Sequence, residues 1–334
     1  MKTFTFDDLL QSYFSERWLT ERSRTSYFVP VKLLRRFVGQ DKLPEEVSRD
    51  DVRQWRDFCF SETGRNLAHS SWNNYCRHNR ILFKHAIDHA LIPISSNPFA
   101  KMEVGSPKKR KKTLSKRQVD MAREAIDLHK KIERYRNIPS VLHPVWFWEV
   151  VFETFYHTGI RLTQLLLMKP EDIDLKGRVL TATWQGAKNN REHFVPISNA
   201  LYPHLENLMN SARMVGIKRG EQIFNVNRFS VRHRMEMMDS WQVESFYQKL
   251  SQICGYQMSP HRFRHTLGTE LMKEPDRNLH IVKALLGHSS LVVTSRYAHF
   301  FDGKLDGIQD KLPRICDQNA TKEAPSKGLK LVKY

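Results

Sequence analysis

The 334-residue sequence predicts a mainly α chain with a small antiparallel β-sheet, divided into two domains. Three observations carry that prediction. Apolar residues recur at helical spacing over residues 4–97 and again from Val119 onward. Two short stretches, 178–184 and 193–198, alternate instead, and Gly186, Asn189 and Asn190 supply turn chemistry between them. Separating the two helical blocks is SPKKRKKTLSK, where Gly105, Ser106 and Pro107 break structure before an unbroken basic run.

Each element follows from local signals. Phe6, Leu9, Leu10 and Tyr13 form the first apolar stripe; Tyr27, Val31, Leu34, Phe37 and Val38 form a second, closed by Gly39. Val52, Trp55, Phe58 and Cys59 give a third after the acidic start at 48–51. Tyr75, Ile81, Leu82 and Ala86 give a fourth, which ends near Pro93. Basic residues interleave these stripes, among them Arg35, Arg36, Arg77 and Arg80. On helices of this kind they are either solvated faces or contacts to a polyanion. The basic run itself, Lys108, Lys109, Arg110, Lys111 and Lys112, reads as a linker that grips a phosphate backbone without reading sequence. Residues 119–156 again read as helical, with a heavy apolar face of Trp146, Phe147, Val150, Val151 and Phe155. Gly159 ends that stretch and Arg161 opens the next helix. Residues 200–256 add helices and a basic patch at 228–234.

The charge balance narrows the function classes. Lys and Arg number 54 against 36 Asp and Glu, a formal net charge of +18, which favours nucleic acid or an anionic membrane surface as partner. The first residues carry acids and lack a continuous apolar core, so they do not form a signal peptide. The longest apolar patch, 145–151, is interrupted by Glu149 and is too short to span a bilayer. Four cysteines without paired spacing fit a reducing compartment and argue against a zinc ribbon or a disulfide scaffold. The expectation is a cytoplasmic nucleic-acid-binding protein without a membrane segment.

The densest chemistry lies in residues 259–299. His261 and Arg264 are spaced i, i+3 on a helix that Ser259 caps and Pro260 begins. A second helix carrying Leu279, Ile281, Val282, Leu285 and Leu286 stops at Gly287, which places His288 just past its end. Tyr297 follows nine residues later. Taken singly these residues are ordinary: His288 would be a helix cap and Tyr297 a partly buried tyrosine. His261 and His265 also have the i, i+4 spacing of a zinc pair. A zincin needs glutamate where Arg262 stands, however, and Arg264 would repel a cation, so the reading is of no metal.

Together, HRFRHT, LLGHSS and SRYAH resemble the C-terminal signature of the tyrosine recombinase (phage integrase) family, and TGIRLTQLL resembles its first arginine box. One departure stands in that box: glutamate is common where Gln164 lies. The resemblance implies a two-domain C-shaped DNA clamp. Its parts would be a helical core-binding domain at 1–98, a basic linker at 99–116, a catalytic domain at 117–304, and a tail at 305–334 that packs on a neighbouring protomer. It implies a catalytic set of Arg161, Lys188, His261, Arg264, His288 and Tyr297. Lys188 occupies the family's hairpin lysine position, with Arg191 its local competitor. Because the helical pattern begins within a few residues of Met1, a further N-terminal arm-binding domain is not expected.

The implied chemistry is strand cleavage and rejoining by transesterification, through a 3′-phosphotyrosyl bond to Tyr297. His261 would be the base, Arg161, Arg264 and His288 the phosphate donors, and Lys188 the general acid. One phosphodiester replaces another, so neither ATP nor any other cofactor is expected. The implied partners are double-stranded DNA, a homotetramer in the synaptic complex, and accessory DNA-bending proteins. A type IB topoisomerase, a non-catalytic DNA-binding regulator and a metal-dependent hydrolase are the competing classes. A DNA target is not legible, since base readout depends on a few side chains.

Overall fold

The computed structural model describes residues 4–106, 113–183, 192–230, 232, 235–272 and 279–287. The chain divides into two compact units, Met1–Arg110 and Lys111–Tyr334.

In the first unit the four apolar stripes form α1 (Phe6–Glu16), α2 (Glu21–Val38), α3 (Arg49–Phe60) and α4 (His69–Asp88). Side chains start them. Thr5 and Ser48 accept from the backbone N–H groups of Asp8 and Asp51, whose carboxylates reach back to the capping residues. Gly39 closes α2 at φ +110°. Trp55 and Trp72 fill the core in an edge-to-face pair 5.2 Å apart, and the indole N–H of Trp72 donates to the Met102 carbonyl at 2.9 Å.

The second unit begins where Ser115 caps α5 (Lys116–Arg136). One residue earlier, the Leu114 N–H donates to the Thr266 hydroxyl at 2.8 Å. The helical reading of 119–156 holds with an interruption. Asn137 turns left-handed (φ +51°), Pro139 and Pro144 follow, and α6 (Val145–Thr158) starts afresh. Helix α6 is buried on nearly every side, as befits a central core helix. It packs against α5, against α8 (Tyr202–Met214) and against α10 (Pro260–Met272).

After α7 (Leu162–Leu167) comes the antiparallel sheet, ordered β1 (Ile173–Asp174), β2 (Val179–Ala182), β3 (His193–Pro196). The two expected strands are present but shorter, and β1 is an addition to them. Leu180 sits opposite both Ile173 and Val195, and Ala182 opposite His193. Helices α9 (Ser240–Cys254) and α11 (Leu279–Leu286) are the remaining α-helices among the described residues of this unit. Among the described residues, no helix is long and apolar enough to cross a membrane.

Candidate active site

The site is built where three chain turns meet. The first is the end of α6. Gly159 adopts φ +59°, and a Cβ there would meet Leu267 and Leu286 side chains at 3.0 and 3.1 Å, so both conformation and space require glycine. Two residues on, Arg161 stands in extended backbone at the start of α7, and its N–H donates to Gln164 Oε1 at 3.0 Å. Gln164 is fully buried. Its carbonyl oxygen thus fastens the Arg161 backbone, a job open to glutamine and glutamate alike.

The second turn is the start of α10, where Ser259 receives the Arg262 and Phe263 N–H groups and Pro260 occupies the first helical turn. The third is the end of α11, closed by Gly287 at φ +58°. The arginines knit these turns together. Arg264, 5% exposed, donates from Nη1 to the Gly159 carbonyl at 2.8 Å and from Nη2 to the Leu286 carbonyl. Arg161 donates from Nη2 to the adjacent Gly287 carbonyl at 3.2 Å. Both guanidiniums therefore lie at helix C-termini, whose partial negative charge favours cations. Residues 161 and 264 are distant in sequence, yet they share consecutive carbonyl anchors.

His261, one turn before Arg264, is exposed, and its Nε2 lies 2.8 Å from Nε2 of His265. One ring donates and the other accepts. Lys188, Arg191, His288 and Tyr297 lie outside the described residues, as does the basic run from Lys108 to Lys112.

Sequence reasoning missed His193. It opens β3 on the same inward face as Val195, and its ring lies against Gly287: a Cβ built there would fall 2.7 Å from Nδ1. Among the described residues, neither ring nitrogen has a hydrogen-bond partner. Burial, then the charges of Arg264 and Arg161, push its pKa down to about 4, so the imidazole is neutral at pH 7. The alternation of His193, Val195 and Ile197 was the available signal.

The remaining candidates lie in the first unit. Arg35 pairs with Asp7 at 3.0 Å, Arg80 with Glu103, and Arg77 with the Asn74 side chain at 2.6 Å, while Arg36 is exposed. Two of the four thus have a carboxylate to give up before gripping a phosphate. In the second unit, Arg228 of the basic patch is tied to the Val215 carbonyl at 2.9 Å. Among the described residues, the one cluster with metal-ligating geometry is Glu16, His85 and His89, again in the first unit.

Residues 144–304 match the sequence model of the phage integrase family. A putative tyrosine recombinase XerC of Pseudomonas syringae is 38% identical over 297 residues, covering 89% of this chain and 62% of that protein. A protein of the same description from Pseudomonas aeruginosa is 37% identical over 294 residues, covering 88% and 68%. The chain thus spans about two thirds of the length of these relatives. Among solved structures, the Tn1549 transposon integrase in complex with transposon right end DNA aligns with a TM-score of 0.68 at 17% identity, covering 93% of this chain and 99% of that chain. A lambda integrase dimer bound to a COC′ core site aligns with a TM-score of 0.64 at 20% identity, covering 88% and 77%. These structural likenesses are of fold, and the two Pseudomonas relatives carry the family: the chain belongs to the phage integrase family of tyrosine recombinases.

Proposed function

We propose that the protein is a site-specific DNA recombinase that cuts and rejoins strands through a 3′-phosphotyrosyl intermediate, without metal or ATP. The observation that carries the reading is the convergence of Arg161 and Arg264 on the adjacent carbonyls of Gly287 and Leu286. Two guanidiniums held side by side match the non-bridging oxygens of one phosphodiester, with a planar geometry that lysine cannot supply. They stabilise the extra negative charge of the pentacoordinate transition state, the task Mg²⁺ performs in many nucleases.

In this mechanism the Tyr297 oxygen attacks phosphorus and the bond to the 5′ oxygen breaks. The phenol, with a pKa of about 10, gives its proton to His261, whose partner His265 orients the ring. Lys188 protonates the departing 5′ oxygen, and His288 donates to the phosphate. Reversal by a second 5′ hydroxyl reseals the strand. The partners in this reading are double-stranded DNA and further copies of the chain, four in the synaptic complex, with DNA-bending accessory proteins at some sites. The site of action is the cytoplasm, on nucleoid DNA.

The test is covalent capture on DNA flanking the protein's own gene, in excess EDTA. A protein–DNA adduct that survives denaturation and is lost in Tyr297→Phe supports the reading. An adduct on another tyrosine, or cleavage only with added metal, overturns it. Exchange between two marked sites then separates recombination from simple strand relaxation.

A further inference from the structure

Outside the catalytic unit, one cluster has no part in the reaction proposed above. Helix α4 carries His85 in its last turn, and His89 caps its end, so the two are spaced i, i+4 and lie on one face. Their ring centroids are 4.5 Å apart. The last residue of α1, Glu16, turns its carboxylate into the same space. Its Oε2 lies 3.6 Å from Nδ1 of His85 and 3.3 Å from Nε2 of His89. One helical turn before Glu16, the Ser12 hydroxyl is 3.0 Å from the other nitrogen of His85, Nε2.

The Ser12 contact constrains what His85 can do. When Nε2–H donates to Ser12, the lone pair on Nδ1 faces a carboxylate oxygen, an arrangement that repels. When Ser12 donates instead, Nδ1–H points at Oε2 across 3.6 Å, beyond hydrogen-bond reach. A cation between Nδ1, the carboxylate and His89 satisfies all three groups in the first tautomer, and Ser12 then fixes that tautomer from behind. This is the usual arrangement behind a ligating histidine, where an outer oxygen accepts the second ring N–H.

We propose that Glu16, His85 and His89 form a binding site for a divalent transition-metal ion of the zinc class, clipping the end of α1 to the end of α4. Two imidazoles and one carboxylate select zinc or a neighbouring late transition metal over Mg²⁺ or Ca²⁺, which take oxygen ligands. The ligand atoms lie within 4.8 Å of one another, whereas tetrahedral zinc at about 2.0–2.1 Å from each ligand draws them closer. Glu16 and His89 are both exposed and close that gap by side-chain rotation, while buried His85 stays fixed. Three protein ligands leave the fourth position to water.

The experiment uses the full-length protein stripped with chelator and desalted, titrated with Co²⁺ and then with Zn²⁺. One Co²⁺ per chain should give the visible absorption of a tetrahedral site, and Zn²⁺ should abolish it. Glu16→Gln and His89→Ala, both surface changes, should each remove the signal. Ser12→Ala should weaken binding about tenfold, the lower end for loss of an outer oxygen. Zinc should raise the melting temperature of the parent protein and leave that of Glu16→Gln unchanged. His265→Ala should bind as the parent does. The proposal falls if the parent gives no tetrahedral signal, if Glu16→Gln and His89→Ala bind like the parent, or if His265→Ala alone abolishes binding.

Discussion

Glu153→Gln tests how the helix leading into the site is braced. Glu153 lies in the middle of α6, its side chain 8% exposed, and Arg123 of α5 grips both carboxylate oxygens at 2.7 and 2.8 Å. His157 adds a contact at 3.3 Å. Burial alone would raise the carboxyl pKa, but the Arg123 and His157 hydrogen bonds outweigh it and hold the value at about 2 instead of 4.5. That difference corresponds to about 3 kcal/mol of stability at neutral pH. Water reaching the Arg123 end trims it toward about 2 kcal/mol. Because the folded-state value is the lower one, the contribution is complete above about pH 4.5 and is lost as pH falls toward 2. Urea denaturation of parent and variant should therefore differ by about 2–3 kcal/mol at pH 7 and by about half that near pH 3. A gap that stays constant across that range would refute the electrostatic account and leave packing as the cause.

Three further outcomes are expected. Gly287→Ala should cost about 1 kcal/mol for its left-handed backbone. It should also abolish strand cleavage while sparing DNA binding, because the new Cβ meets His193 at 2.7 Å and shifts the carbonyls that anchor both arginines; normal cleavage would disprove that anchoring role. Trp72→Ala, at a fully buried position, should destabilise the first unit by about 3–5 kcal/mol in equilibrium melts. Neutralising Lys108, Lys109, Arg110, Lys111 and Lys112 should make the slope of log K against log salt shallower, by up to about 0.9 for each phosphate the run no longer neutralises. An altered sequence preference at unchanged slope would mean the run reads bases.

Much of the second unit was legible because its punctuation is local. Ser259–Pro260, Gly159 and Gly287 mark helix ends through caps and left-handed glycines, and those marks survive in any tertiary setting. The four stripes of the first unit were legible because each buries one face. What escaped depends on distant partners. Two-residue β1 is too short to alternate and exists only by pairing with β2. The break at 137–144 was masked by the apolar density of α6, although both prolines stood in view. His261 and Arg264 share a spacing, yet one is exposed and the other buried, a difference set by Gly159 and Leu286 far away in the chain. His193 was hidden for the same reason: its neighbour Gly287 comes 94 positions later.

The hydrogen bond from Leu114 to Thr266 has a mechanical meaning. Thr266 is two residues past Arg264 on the same rigid helix, and Leu114 is two residues past the basic run. Traction on the chain at residue 113 is therefore borne first by the helix that presents Arg264, before it reaches the body of α5. The connection works like a tether tied to the tool and not to its housing. Lengthening the chain between Lys112 and Leu114 slackens that tether without altering Arg161 or Arg264, so its effect should register in the rate of cleavage and leave the affinity for DNA unchanged.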